Sequence, residues 1–324
     1  MREYVYRSPL APYIEGLISQ KRSMGFIYDY NAYVLKRFDD RCIENGITDA
    51  AITKDMADDW VEVNSKCSKS IKTRAVSDLR QLSLYMNSLG IPSYIPVRFS
   101  EKDKHVPHLF KDEEIKAFFS EVDSYRSGTN SPGFNRMAIE YRILFRLIYC
   151  CGLRNNEACC LKLSEVDTEK GILQIIHSKG DKDRIVYLAE DLRLLMKQYI
   201  DGLVSLTGRD NEWLFPGRCI EKHVPKTSID KVFGHFWAMT SFAGSCDKKP
   251  TVHSLRHAFI EKRMRLWMEQ GISLEKMIPF LSAYVGHRTH DDTFYYYHLT
   301  ENAFSIIRKK DITSSSVIPE VSHE

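Results

Sequence analysis

One stretch of this chain is patterned as paired strands, in a sequence otherwise patterned for helices. Gly171-Ile172-Leu173-Gln174-Ile175-Ile176-His177 and Arg184-Ile185-Val186-Tyr187-Leu188 are β-rich runs. The polar, glycine-containing turn Ser178-Lys179-Gly180-Asp181-Lys182-Asp183 joins them, which predicts a hairpin with Lys179 near its tip. Before residue 90 nothing reads as a strand. Apolar spacing there predicts helices at 9–23, 28–44, 53–64 and 69–89, with Gly25, Gly46 and Gly90 near three of the ends. Further helices are predicted at 112–124, 134–151, 155–161, 190–205, 227–241, 254–269, 273–284 and 290–298. The run Trp213-Leu214-Phe215-Pro216-Gly217 is read as a short segment packed on the core. The fold class is therefore mainly α, a helical unit followed by an α+β unit with a small hairpin or sheet.

A chain of 324 residues is long enough for two domains. Pro92, Pro96 and Pro107, with Lys102 and Lys104 among few apolar residues, mark 91–110 as an extended connector. The predicted division is 1–97 helical, 98–110 linker, 111–311 catalytic and 312–324 a mobile tail, the last with too little apolar surface to fold alone.

The chemistry-bearing residues lie in the second part. His253-Ser254-Leu255-Arg256-His257 is followed by Gly286-His287 and then by three tyrosines, Tyr295, Tyr296 and Tyr297. Histidine, arginine and a tyrosine hydroxyl, with no acidic metal cage, suit attack on a phosphodiester by a side chain. Tyrosine has an ordinary pKa near ~10, so neighbouring groups must assist. Gly152-Leu153-Arg154-Asn155-Asn156-Glu157 supplies a second arginine just after an apolar helix that Gly152 can end.

Together these pieces resemble the tyrosine recombinases, the phage integrase family. That pattern is G-L-R-x-x-E, a lysine in a G-K-G-like hairpin turn, H-x-L-R-H, L-G-H and a tyrosine about nine residues on. Here the matching residues are Arg154 with Glu157, Lys179, His253 with Arg256, His287 and Tyr296, with Val285 in place of the usual leucine. The resemblance implies a helical core-binding (SAM-like) domain ahead of the catalytic domain, and no arm-site-binding module before it. It also implies roles. Arg154 and Arg256 hold the scissile phosphate, and Lys179 protonates the leaving 5′ oxygen, with Lys182 as a nearby rival. His253 and His287 accept a proton or bond phosphate oxygens, and Tyr296 attacks to give a 3′-phosphotyrosyl link. Glu157 and His257 support these groups, and Tyr295 and Tyr297 are packing residues. No cofactor, metal or ATP is implied. Alternatives are a type IB topoisomerase-like nicking-closing enzyme, a non-catalytic DNA-binding module of the same fold, and a zinc hydrolase on His253, His257, His287 and His290.

The net charge of +3 is too mild to argue nucleic-acid binding by itself. Lys66, Lys69, Lys72, Arg74 and Arg80, however, fall within fifteen residues whose only acid is Asp78. They accompany a helix with the apolar stripe Ala75, Leu79, Leu82, Met86 and Leu89, and are predicted to face DNA. The implied partners are double-stranded recombination sites, a homotetramer on DNA and accessory DNA-binding proteins. No run reaches the roughly 18 apolar residues of a membrane span, and the N-terminus lacks a secretory core. A cytoplasmic protein on the bacterial nucleoid is expected. Among eight cysteines, the pairs Cys150-Cys151 and Cys159-Cys160 are read as buried thiols.

Overall fold

The computed structural model describes residues 3–98, 107–126, 132–176, 183–208, 210–246 and 248–297. The chain divides into two compact units, Met1–His105 and Val106–Glu324.

Four helices build the first unit: α1 (Ala11–Ser23), α2 (Asp29–Glu44), α3 (Lys54–Val63) and α4 (Lys69–Ser88). All lie within two residues of the spans the apolar spacing predicts. Their inner faces meet around Leu10, Ile14, Leu35, Phe38, Trp60, Leu82 and Met86. Phe38 and Trp60 pack edge to face at 5.3 Å, and the indole N–H donates to the Ala75 carbonyl, so the largest buried residue leaves no polar atom unpaired. α3 begins where the Thr53 hydroxyl accepts the Met56 N–H, an N-cap. The apolar stripe of α4 stops at Met86. Leu89, predicted to extend it, caps the helix and is exposed.

The second unit is centred on α6 (Pro132–Cys151), whose Ile143, Leu144, Leu147 and Ile148 are completely enclosed. Around it stand α5 (Asp112–Ser124), α7 (Asn155–Cys159), α8 (Glu190–Thr207), α9 (Lys226–Met239), α10 (Val252–Glu269), α11 (Leu274–Val285) and α12 (Asp291–Tyr297). The hairpin is present as β2 (Ile172–Ile175) and β3 (Arg184–Tyr187), antiparallel, with Leu173 opposite Val186. Leu173, Ile175 and Val186 face the core while Gln174, Ile185 and Tyr187 point out, the alternation a strand imposes. A two-residue strand, β1 (Val166–Asp167), adds to β2; it is too short to leave a periodic signature. Leu214 and Phe215 are buried, as predicted for that segment.

Residues on either side of the connector attach to different units. Ile52 accepts the Tyr94 N–H and Pro96 accepts from Arg80 in the first. His108 and Phe110 pack edge-on against Trp237 in the second. The cysteine expectation needs correction. Cys151 and Cys159 are buried, but Cys150 is exposed and Cys160 half-buried, 3.5 Å from His223 Nε2. Adjacent helical positions diverge by about 100°, so a pair of neighbours cannot both face one core. Among the described residues no helix is long and apolar enough to cross a membrane.

Candidate active site

Helix ends build this site. α6 stops at Gly152, whose φ of +66° suits glycine, and a Cβ there would meet Phe259 Cδ1 at 2.5 Å. Two residues later Arg154 forms the N-cap of α7. α11 ends in the same fashion at Gly286, φ +67°, with the His287 N–H returning to the Ser282 carbonyl at 2.9 Å. The last carbonyls of a helix lack partners within it. At α11 three arginines from three different elements supply them. Arg184 Nε donates to Tyr284 O at 2.8 Å, Arg256 Nη2 to Val285 O at 2.6 Å, and Arg154 Nη2 to Gly286 O. Arg256 Nη1 also donates to Gly152 O at 2.7 Å, joining the ends of α6 and α11. Cations at helix C-termini are favoured by the helix dipole as well as by hydrogen bonding.

Glu157, in the first turn of α7, holds the arginines in register. Its carboxylate accepts both η-nitrogens of Arg184, at 3.1 and 2.7 Å, and Arg154 Nη1 at 2.6 Å. It also accepts the Arg154 backbone N–H at 2.9 Å, which caps α7. The carboxylate and the Arg184 side chain are each 7% exposed. Burial alone would raise the Glu157 pKa. Hydrogen bonds and charge from Arg184, then from Arg154, outweigh it and hold the group at about 2. Arg256 is 1% exposed, and burial, aided by Arg154, pushes it down to about 9. That still leaves a charged guanidinium at neutral pH.

Arg154, His253, Arg256, His287 and Tyr296 line one cleft of about 440 Å³. Tyr296 is 4% exposed, packed beside Ile260, Met264 and Val285. Its hydroxyl meets His257 Nδ1, and its ring lies parallel to that of His287, 6.2 Å away. Burial raises the Tyr296 pKa above its ordinary value and Arg256 offsets only part of this. His287 Nδ1 is engaged by Thr293 Oγ1 at 2.7 Å, which leaves Nε2 as its other polar atom. Burial and then Arg256 depress His287 to about 4. His253 is depressed similarly by enclosure and by Arg256 and Arg154. The residue as a whole is exposed, so desolvation counts for less here than at His287 and the Arg256 and Arg154 charges for more. Both imidazoles are neutral at pH 7 and able to accept a proton. His253 and His257 pack edge to face at 4.5 Å.

The sequence profile of the phage integrase family matches residues 110–303, which contain every residue of this cleft. The chain belongs to that family. The tyrosine recombinase XerD of Neisseria meningitidis serogroup B is 28% identical over 240 residues, 71% of this chain and 73% of the relative. Two solved structures share the fold. The XerH site-specific recombinase bound to a palindromic difH substrate in a post-cleavage complex has a TM-score of 0.65 at 20% identity, covering 92% of this chain and 83% of the other. A lambda integrase tetramer bound to a Holliday junction has a TM-score of 0.58 at 16% identity, covering 86% and 77%.

In this integrase-family chain the structure thus brings together Arg154, Glu157, His253, Arg256, His257, His287 and Tyr296. Lys179 and Lys182 lie outside the described residues, as does the tail from 312. Tyr295, predicted to pack, is 41% exposed at the cleft rim, because α12 turns it about 100° from its buried neighbour. Asp291 and Asp292 also line the rim, exposed. Of the cations predicted to face DNA, Lys66, Lys69 and Arg74 are exposed on the first unit and Lys72 is half-buried. Arg74 lies 4.8 Å over the Tyr30 ring, and Arg80 is turned to the Pro96 carbonyl. Sequence reasoning missed Arg184. The available signal was an arginine heading a strand at the position paired with buried Ile175.

Proposed function

We propose how this chain, a tyrosine recombinase by family and hence a site-specific enzyme of DNA strand breakage and rejoining, performs its reaction. The convergence of Tyr296 with Arg154 and Arg256 in one cleft carries the reading. Arg154 and Arg256 take the two non-bridging oxygens of the scissile phosphate. Each guanidinium has five N–H donors, so the carbonyl contacts leave others for the phosphate. Charge on those oxygens grows in the transition state, where such donors count most.

Tyr296 Oη attacks phosphorus and its proton leaves toward the imidazole of His257 or of His253. His287 donates from Nε2 to a phosphate oxygen once it carries a proton. The bond to the 5′ oxygen breaks, Lys179 protonates that oxygen, and the products are a 3′-phosphotyrosyl link and a 5′ hydroxyl. One phosphoester replaces another, so neither ATP nor metal is consumed. A 5′ hydroxyl from a partner duplex reverses the step at a new junction. The cations around α4 supply phosphate contacts that position the duplex. A homotetramer on paired DNA sites accords with the tetrameric lambda integrase complex, and the cytoplasmic nucleoid is where such DNA is met.

The decisive experiment uses a nicked duplex carrying a site selected from random-sequence DNA by the wild-type chain. The cut end diffuses away and the covalent adduct accumulates. Mass spectrometry of the DNA-linked peptide should identify Tyr296, and Tyr296→Phe should form no adduct. An adduct on Tyr295 or Tyr297, or one undiminished in Tyr296→Phe, would falsify the nucleophile assignment.

A further inference from the structure

Arg184 is the one arginine of the cluster that does not line the cleft, yet like Arg154 it binds both Glu157 and a carbonyl at the end of α11. Its two η-nitrogens grip both oxygens of Glu157, the acid that also binds Arg154. Its Nε donates to Tyr284 O, two residues before Gly286, whose carbonyl accepts from Arg154. It lies against Gly286 itself, where an added Cβ would come within 3.1 Å of its Nη1 and 3.3 Å of Arg154 Nη1.

From this geometry we infer that Arg184 is a positioning residue for the strand-cleavage step, acting through Glu157 on Arg154. The inference rests on the reading of Arg154 as a phosphate-holding residue. Without Arg184, Glu157 has a single cationic partner among the described residues and is free to pull the Arg154 guanidinium toward itself. The η-nitrogens of Arg184 occupy both carboxylate oxygens end-on, so the Arg154 guanidinium is limited to Oε1 and keeps its remaining donors for Gly286 O and the cleft. Lysine cannot reproduce this, since a single ammonium does not make a two-pronged contact.

The test measures adduct formation on the selected nicked duplex at saturating DNA, with DNA affinity measured separately. Wild type and Arg154→Ala are run alongside. If wild type forms no adduct, or Arg154→Ala cleaves normally, the functional reading fails and not this inference alone. Arg184→Gln should slow adduct formation by about 10- to 100-fold, the scale for small misplacement of a reacting group, while affinity changes little. Arg184→Lys, which keeps the buried charge and serves if the glutamine variant does not fold, should show a similar loss. Wild-type rates in Arg184→Lys overturn the proposal.

Glu157→Gln combined with Arg184→Gln should be no slower than the slower single variant, because both changes interrupt one path. Multiplying losses would mean that Arg184 works elsewhere. A substrate with sulfur at the bridging 5′ position, a leaving group needing little protonation, should not restore Arg184→Gln. Restoration would instead assign Arg184 to leaving-group protonation and overturn its action through Arg154.

Discussion

A tyrosine hydroxyl is a poor nucleophile at neutral pH, and in the DNA-free pocket Tyr296 is a poorer one. Burial holds it protonated, and the Arg256 charge that could favour its phenolate is occupied with two helix-end carbonyls. The neutral histidines are the compensating feature. His287 takes up a proton less readily folded than unfolded, so at pH 7 it is uncharged in the resting site. A phosphate bound as proposed between Arg154 and Arg256 would reverse the balance by adding negative charge beside the ring. NMR titration of His287 in the DNA-free chain should therefore give a midpoint near about 4, and orthovanadate, a phosphate mimic, should raise it. A midpoint at or above the ordinary ~6.5 would mean that neither burial nor Arg256 depresses this imidazole. Arg154, Arg256, His287 and Tyr296 were legible in the sequence because each lies in a motif of fixed spacing. Arg184 was not, because its partner Glu157 is 27 residues away and only pairing of β2 with β3 brings it to α7.

At the scale of elements, two glycine-ended helices set the cleft, and their sensitivity to substitution should differ from that of other turns. Gly152→Ala adds left-handed strain and drives a Cβ into the buried Phe259 ring. The strain costs about 1–2 kcal/mol and overpacking about 1–3 kcal/mol. Gly208, φ +76° and in the same unit, has nothing within 4 Å of an added Cβ, so Gly208→Ala should show only the strain. Urea denaturation with unchanged slope should rank Gly152→Ala as clearly the more destabilised; equal midpoints would dismiss the role assigned to the Phe259 contact. The helices themselves were readable from apolar periodicity to within about two residues, since each buries one face. The strand β1 and the exposure of Leu89 were not, because they depend on where elements end, and for Cys150 and Tyr295 the 100° step decides only that one neighbour faces out, not which.

For the whole molecule, the Glu157 network ties stability to pH. Glu157 is held at about 2 when folded against an ordinary ~4.3, so the folded state binds this proton more weakly than the unfolded chain. Its contribution is complete above about pH 4.5 and is lost as pH falls toward 2. Glu157→Gln should lose stability at neutral pH, by about 3–5 kcal/mol for a buried pair broken on one side. It should also show a shallower decline between pH 5 and 3 than wild type. Parallel acid profiles for the two would place the network outside the folding equilibrium. A second prediction concerns the reaction as a whole. Adduct formation should persist in excess chelator without ATP, since arginines and lysine supply the charge that a divalent ion supplies elsewhere; dependence on added magnesium would overturn the proposed mechanism.

The carbonyls of Tyr284, Val285 and Gly286, each taken by a different arginine, carry a last consequence. Two of these arginines, Arg154 and Arg256, line the cleft and are the side chains proposed to hold the phosphate, so much of what supports the cleft also closes off α11. Heating should then abolish strand cleavage and melt the second unit at one temperature, with no interval in which the protein stays folded but idle. Ligand-binding loops are drawn from the low-stability end of a fold; here the seam of the fold and the seat of the reaction should give way together.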